Sequence, residues 1–86
     1  MEFTFDKNKS ASDKQKHGIN LNEAKKLWED TDYVEVPVKT SDERRFLIIG
    51  KISEKYWTAV ITYRSESIRI ISVRRSRKEE IEIYES

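Results

Sequence analysis

The sequence predicts an α+β fold, and three observations along the chain support this class. From Tyr33 to Arg75, apolar residues recur with period two in four successive segments, as they do in half-buried strands. Short polar turns separate these segments, so neighbouring strands should pair antiparallel. Helix-start signals lie before and after this region. The predicted order is β-α-α-β-β-β-β-α in a single domain of residues 1–86, with a mostly antiparallel sheet and helices packed on one face.

Composition limits the function further. The chain has 86 residues, of which 36% are hydrophobic and 38% charged, and its net charge is +1. It has one His and no Cys, so we expect neither disulfides nor a metal site, and no cofactor. No apolar stretch approaches the roughly 20 residues that span a bilayer, and the N-terminus lacks the features of a signal peptide. These observations predict a cytoplasmic protein without membrane contact.

The first third of the chain predicts a short strand and two helices. Glu2–Phe5 is the strand candidate, and Asp6 is a suitable N-cap for a helix that ends near His17 and packs through Ala11. Gly18 supplies the left-handed residue that stops this helix. A second capping pattern then begins a second helix. Its residues are Asn20 and Glu23 for the cap, and Leu21, Ala24, Leu27 and Trp28 for the apolar stripe.

The four later strands differ in how apolar they are. Pro37 marks the first as an edge strand, because proline cannot donate to a strand ladder. Residues 44–52 form a strand with a nearly continuous apolar run, which is expected near the middle of the sheet. In the strand of residues 56–64, Trp57 lies on the apolar face and Arg64 on the opposite face. At these positions Trp57 and Trp28 are expected in the core rather than stacked on a ligand.

Cations are concentrated where the last strand meets the last helix. Alternation along the strand places Ile68, Ile70, Ser72 and Arg74 on one face, and Ser76 with Glu79 forms a capping box for the helix. Basic side chains just before and inside a first helical turn oppose the helix dipole. They indicate either a solvated charged surface or an anion site. Residues 64–78 carry one acid, Glu66, and six cations. The cations are Arg64, Arg69, Arg74, Arg75, Arg77 and Lys78.

Two of these arginines suit a phosphodiester. Antiparallel pairing of the last two strands is expected to bring Arg64 and Arg74 within reach of each other, with Thr62 and Ser72 beside them. Paired guanidiniums bind phosphate oxygens and can stabilise charge on a phosphorane. If the phosphodiester belongs to RNA, the substrate supplies its own nucleophile, the 2′-hydroxyl. On an open sheet face, replacing either arginine should cost at most about 0.5 kcal/mol of stability.

The remaining site residues follow from chemistry. Histidine is the residue type that most readily exchanges a proton near neutral pH, and His17 is the one histidine of the chain. It is therefore either an acid or base or a cap at the end of its helix. Tyr63 and Lys51 are alternatives for proton transfer. Flanking phosphates would be held by other cations. These are Arg75, Lys78, Arg77 and Lys51.

Several short motifs in combination resemble one family. They are F-D at 5–6, K-H-G at 16–18, N-x-x-E-A at 20–24, R-F-L-x-x-G at 45–50, Y-R at 63–64 and I-R-I-I-S-V-R-R at 68–75, followed by K-E-E and Tyr84. Together they make nearly the whole chain similar to the BrnT toxins. One departure is Asp13, where the resemblance leads us to expect Asn.

The resemblance implies a RelE/ParE-like fold and a ribonuclease toxin that arrests translation. It also implies a cognate BrnA-like ribbon-helix-helix antitoxin, whose complex with the toxin binds DNA and represses its own operon. By position, the basic motif residues are His17, Arg64, Arg74 and Arg75. From the residues alone, the alternative is a non-catalytic module whose basic patch binds an acidic protein or DNA.

Overall fold

The computed structural model describes residues 2–39 and 42–86 and confirms the predicted α+β fold. The sheet order is β1-β5-β4-β3-β2, with β1 parallel to β5 and the other neighbours antiparallel. The strand that contains Pro37 is an edge strand, as predicted. Among the described residues, no helix is long and apolar enough to cross a membrane. The elements are β1 (Glu2–Phe5), α1 (Lys7–His17), a 3-10 helix (Glu23–Glu29), β2 (Val34–Val38), β3 (Arg45–Ile52), β4 (Lys55–Arg64), β5 (Ser67–Arg75) and α2 (Lys78–Glu85).

Helix α1 is attached to the domain by polar contacts. Its N-cap is Asp6, as predicted, and its predicted apolar contact at Ala11 is wrong because that side chain is exposed. The buried side chains of α1 are Ser10 and Asp13. The Ser10 hydroxyl accepts from the Leu21 N–H at 2.9 Å, and the Asp13 carboxylate accepts from the Val73 N–H at 2.9 Å. β1 pairs with β5 only as far as Ile70, so Asp13 satisfies a backbone donor beyond that pairing.

The second helical segment begins with the predicted cap. The Glu23 N–H donates to the Asn20 side chain at 2.7 Å, and the Asn20 N–H donates to the Glu23 carboxylate at 2.9 Å. This reciprocal pair is a capping box. The segment continues as a 3-10 helix, and the predicted apolar stripe covers the sheet, with Leu21, Ala24 and Leu27 fully buried.

The main core lies between the sheet and the first two helical segments. Its centre is Trp57, Ala59 and Ile61 of β4, which confirms the predicted apolar face of that strand. The predicted alternation of β5 is wrong beyond Ile70, because a β-bulge lies opposite Val60 and Ile61. Ile71 is the extra residue, so Val73 joins Ile68 and Ile70 on the core face instead of lying opposite them. The core residues of β5 are therefore Ile68, Ile70 and Val73.

Helix α2 contacts the other face of the sheet, whereas α1 and the 3-10 helix pack on the core face as predicted. It begins at Lys78, and the predicted capping box between Ser76 and Glu79 is wrong. The residue that bonds back to the helix start is Glu80, which accepts from the Arg77 N–H at 2.8 Å. The Ser76 hydroxyl instead pairs with the Thr58 hydroxyl at 2.7 Å.

Candidate active site

A basic groove opens at one end of the core face, where α1 stops, β3 turns into β4 and β5 ends. The cavity has a volume of about 320 Å³. That volume is enough for a phosphate with part of its sugar. Its charged and aromatic lining consists of His17, Glu23, Lys26, Lys55, Trp57 and Arg75. We call this cavity the basic groove.

The backbone at Gly18 brings His17 to the groove. Gly18 closes α1 with φ of 101°, a left-handed conformation that side chains other than glycine rarely adopt. The chain passes here beside the Trp57 ring, since a Cβ on Gly18 would lie 3.9 Å from Trp57 Cη2. The space would tolerate a methyl group, so the conformation is what demands glycine. The K-H-G motif therefore ends α1 beside Trp57, and His17 and Trp57 line the same cavity.

Arg75 is positioned by Trp57. The two residues are cross-strand partners in β4 and β5, and the guanidinium carbon lies 5.4 Å from the Trp57 ring centroid, which is a cation–π contact. The Arg75 Nε donates to the Tyr56 carbonyl at 3.3 Å. Within the described ranges the two terminal nitrogens of Arg75 have no acceptor, so they can bind an anion. Trp57 is only 5% exposed and serves as a platform for Arg75 rather than as a stacking surface for a base.

The charge of the groove is positive. Lys26, Lys55 and Arg75 line it together with His17. The lining carboxylate, Glu23, accepts hydrogen bonds from the Lys14 ammonium and the Asn20 N–H, which hold its pKa below the ordinary value. Glu23 is therefore already paired with a cation outside the groove, and it offsets the groove cations only in part.

Arg74 does not reach the basic groove. Its guanidinium binds the Glu80 carboxylate through two hydrogen bonds of 2.7 Å each, and its side chain is only 23% exposed. Burial alone would raise the Glu80 pKa. The hydrogen bonds from Arg74, the Arg77 N–H and the Thr58 hydroxyl outweigh this and lower the pKa to about 2. In this structure Arg74 joins β5 to α2.

The expectation that Arg64 and Arg74 lie within reach of each other is wrong. The strand register pairs Arg64 with Ser67 and Thr58 with Arg74. The two arginines are thus on the same face but six residues apart along β4, or ~20 Å at the usual rise per residue. Arg64 is half-exposed and donates to Glu43 at 3.1 Å. The predicted pair of guanidiniums around one phosphate does not form.

The other predicted site residues also lie outside the groove. Lys51 lies over the Tyr56 ring at 4.9 Å and lines a neighbouring cavity. Arg77 and Lys78 are exposed at the start of α2. The Tyr63 hydroxyl donates to Glu35, and burial together with this bond raises the Tyr63 pKa to about 12, which suits it poorly to proton transfer near neutral pH.

Two groove cations, Lys26 and Lys55, were not among the predicted site residues. A signal for Lys55 was present, because it precedes Trp57 by two residues and strand alternation places both on one face. Lys26 gave no such signal, because its position depends on how the 3-10 helix packs against the β3–β4 turn.

The fold and the basic groove define a small α+β domain whose cationic cavity lies at one end of the sheet. Comparison with known families identifies its kind more closely. Residues 5–80 match the family model described as the ribonuclease toxin BrnT of type II toxin-antitoxin systems, and the chain belongs to this family. No individual curated protein matched the sequence significantly.

Proposed function

We propose that this BrnT toxin is an endoribonuclease that cuts RNA in the basic groove without a metal ion and so arrests translation in the cytoplasm. The observation that supports this best is the placement of Arg75. The Arg75 guanidinium lies over the Trp57 ring, and neither of its terminal nitrogens has an acceptor among the described residues. His17 lines the same cavity. A phosphate binder and a proton carrier are the minimum that RNA cleavage requires.

The chemistry follows from the substrate. The ribose 2′-oxygen attacks the adjacent phosphorus, its proton leaves, and the bond from phosphorus to the 5′-oxygen breaks. Negative charge builds on the non-bridging oxygens, where the Arg75 fork would stabilise it. Lys26 and Lys55 would hold the neighbouring phosphates. Among the described residues, no group of three His, Cys, Asp or Glu could hold a metal ion, and the proposed cleavage uses none.

His17 carries a proton in this scheme, and two roles remain open to it. As a base it would take the 2′-hydroxyl proton, and as an acid it would protonate the departing 5′-oxygen. A substrate with sulfur at the 5′ leaving position separates the two roles, because a thiolate leaves without protonation. If His17 is the acid, this substrate should restore cleavage by His17→Ala. If His17 is the base, the variant should stay inactive on both substrates.

The direct test is cleavage of a defined RNA by the purified toxin, with and without chelator. We expect cleavage that resists chelator, falls by about 10²-fold or more in Arg75→Ala and is unchanged in Arg44→Ala. The control removes an exposed arginine outside the groove. Undiminished cleavage by folded Arg75→Ala would reject the groove as the active site. Arg64→Ala belongs in the same series, because the motif resemblance still predicts a role for Arg64.

The partner is the second part of the proposal. A toxin of a type II system has a protein antitoxin, which we propose to be a BrnA-like ribbon-helix-helix protein that contacts DNA on behalf of the complex. The competing function is a binding module without catalysis. Tight RNA or antitoxin binding by a protein that never cuts RNA would favour that alternative.

A further inference from the structure

The sheet face opposite the core is only partly covered. Helix α2 covers the row that contains Ile49 and Thr58, both of which are fully buried. The next row lies on three neighbouring strands and consists of Val36, Leu47 and Val60, which are cross-strand partners and half-buried. With strands about 4.8 Å apart, this row spans ~10 Å. We call these three residues the apolar floor.

Arginines border the apolar floor on the side away from α2. Strand alternation and register place Arg45, Arg64 and Arg69 on this face. We call them the arginine rim. Glu43 already contacts two of them, with distances of 3.1 Å to Arg64 and 4.0 Å to Arg45. The rim is thus able to hold a carboxylate between its members, which shows the chemistry that it accepts.

The combination of floor and rim favours a protein over a nucleic acid. Single-stranded RNA binds through aromatic stacking platforms as well as cations, and the floor consists of aliphatic side chains. An aliphatic strip beside arginines instead matches an amphipathic segment whose apolar residues cover the strip and whose acidic residues meet the guanidiniums. The chain as a whole carries only +1, so this local charge is a feature of the surface rather than of the composition.

We infer that the apolar floor and the arginine rim form the docking surface for an acidic amphipathic segment of the antitoxin. This inference rests on the proposed partner. The surface lies on the sheet face opposite to Trp57 and the basic groove, because Thr58 and Val60 alternate with Trp57 along β4. Docking here therefore anchors the antitoxin without using the groove residues. Substitutions of Val36 and Arg69 on this face should separate antitoxin binding from RNA cleavage.

The test uses the full toxin and its full-length cognate antitoxin, with the affinity measured by titration calorimetry. Val36→Glu puts a charge on the apolar floor from an edge strand, where charge is tolerated. Arg69→Glu reverses one rim charge. Ala11→Glu is the matched control, since Ala11 is an exposed apolar residue on α1, away from this face. RNA cleavage and the melting temperature are measured for each variant.

We expect Val36→Glu and Arg69→Glu to weaken antitoxin binding by roughly tenfold or more, while Ala11→Glu binds as the wild type does. Wild-type affinity should fall as salt rises from about 50 to about 500 mM, and by less in Arg69→Glu. RNA cleavage should be unchanged in the variants. If wild-type toxin does not cleave RNA, the proposed enzyme fails but the binding comparison still decides the docking surface.

Wild-type antitoxin affinity in both Val36→Glu and Arg69→Glu, while both remain folded, would overturn the inference. If the same two variants also lose RNA cleavage, the face binds nucleic acid instead. If Val36→Glu does not fold, Arg69→Glu and the salt dependence decide the question alone.

Discussion

Replacing Glu80 by Gln should remove a large part of the stability of this domain. The Glu80 side chain is only 8% exposed, and its carboxylate accepts two hydrogen bonds from Arg74, one from Thr58 and one from the Arg77 N–H. Its pKa is lowered from 4.5 to about 2. At about 1.4 kcal/mol for each pH unit, this corresponds to roughly 3 kcal/mol at neutral pH. The expected loss of unfolding free energy in Glu80→Gln is about 2–3 kcal/mol, because the partly exposed Arg74 is screened by water.

The sign of the pH dependence follows from the lowered pKa. The unfolded chain binds a proton at Glu80 near pH 4.5, while the folded chain does so only near pH 2. The stabilisation is therefore complete above pH 4.5 and is lost as the pH falls toward 2, with more than half of it gone by about pH 3. Glu80→Gln has no such proton, so its stability should depend less on pH in this window.

Urea unfolding at pH 7 and pH 3 measures both effects. The matched control is Glu79→Gln, which removes a neighbouring exposed carboxylate from the first turn of α2. We expect the difference between wild type and Glu80→Gln to shrink by more than half at pH 3, while Glu79→Gln stays within about 0.5 kcal/mol of wild type at both. Equal stability of Glu80→Gln and Glu79→Gln at pH 7 would refute the assignment of Glu80 and Arg74 as a structural pair.

Three further predictions concern folding. Trp57→Ala should cost about 3–5 kcal/mol by urea unfolding, because it empties the core beneath Arg75, and Trp57→Phe should cost less; similar losses in both would contradict the packing. Asp13→Asn keeps an acceptor for the Val73 N–H and should be tolerated. Asp13→Ala leaves that buried donor unpaired and should cost about 1–3 kcal/mol. The Asn variant should therefore have the higher melting temperature of the two variants. Tyr84→Phe removes the 2.9 Å bond to Asp30 and should cost about 1 kcal/mol in the same unfolding assay.

The sequence was sufficient to predict the elements and their order because its local signals agree with the final fold. The cap at Asn20 and Glu23, the stop at Gly18 and the edge residue Pro37 each act within a few positions. Burial of Trp57 followed from alternation alone. Local chemistry of this kind needs no knowledge of distant residues, so it can be deduced from the chain.

The predicted site failed at the register of one hairpin. The turn between Arg64 and Ser67 fixes which residues of β4 and β5 face each other. Counting outward from that turn places Arg74 opposite Trp57, and the bulge at Ile71 moves it to Thr58. The separation of Arg64 from Arg74 was therefore deducible from the turn, whereas the bulge was not. The pairing of Arg74 with Glu80 depends on where α2 packs, which strand patterns do not determine.

The two neighbouring arginines at the end of β5, Arg74 and Arg75, have different roles that an activity assay would not separate. Alternation sends Arg74 to the face of α2 and Arg75 to the basic groove. Loss of either residue is expected to abolish toxicity, Arg74 by weakening the attachment of α2 and Arg75 by removing a phosphate contact. Activity alone therefore cannot identify the catalytic arginine. The two are separated by stability, which should fall in Arg74→Ala and remain near wild type in Arg75→Ala, since only Arg74 leaves a buried carboxylate without its cation.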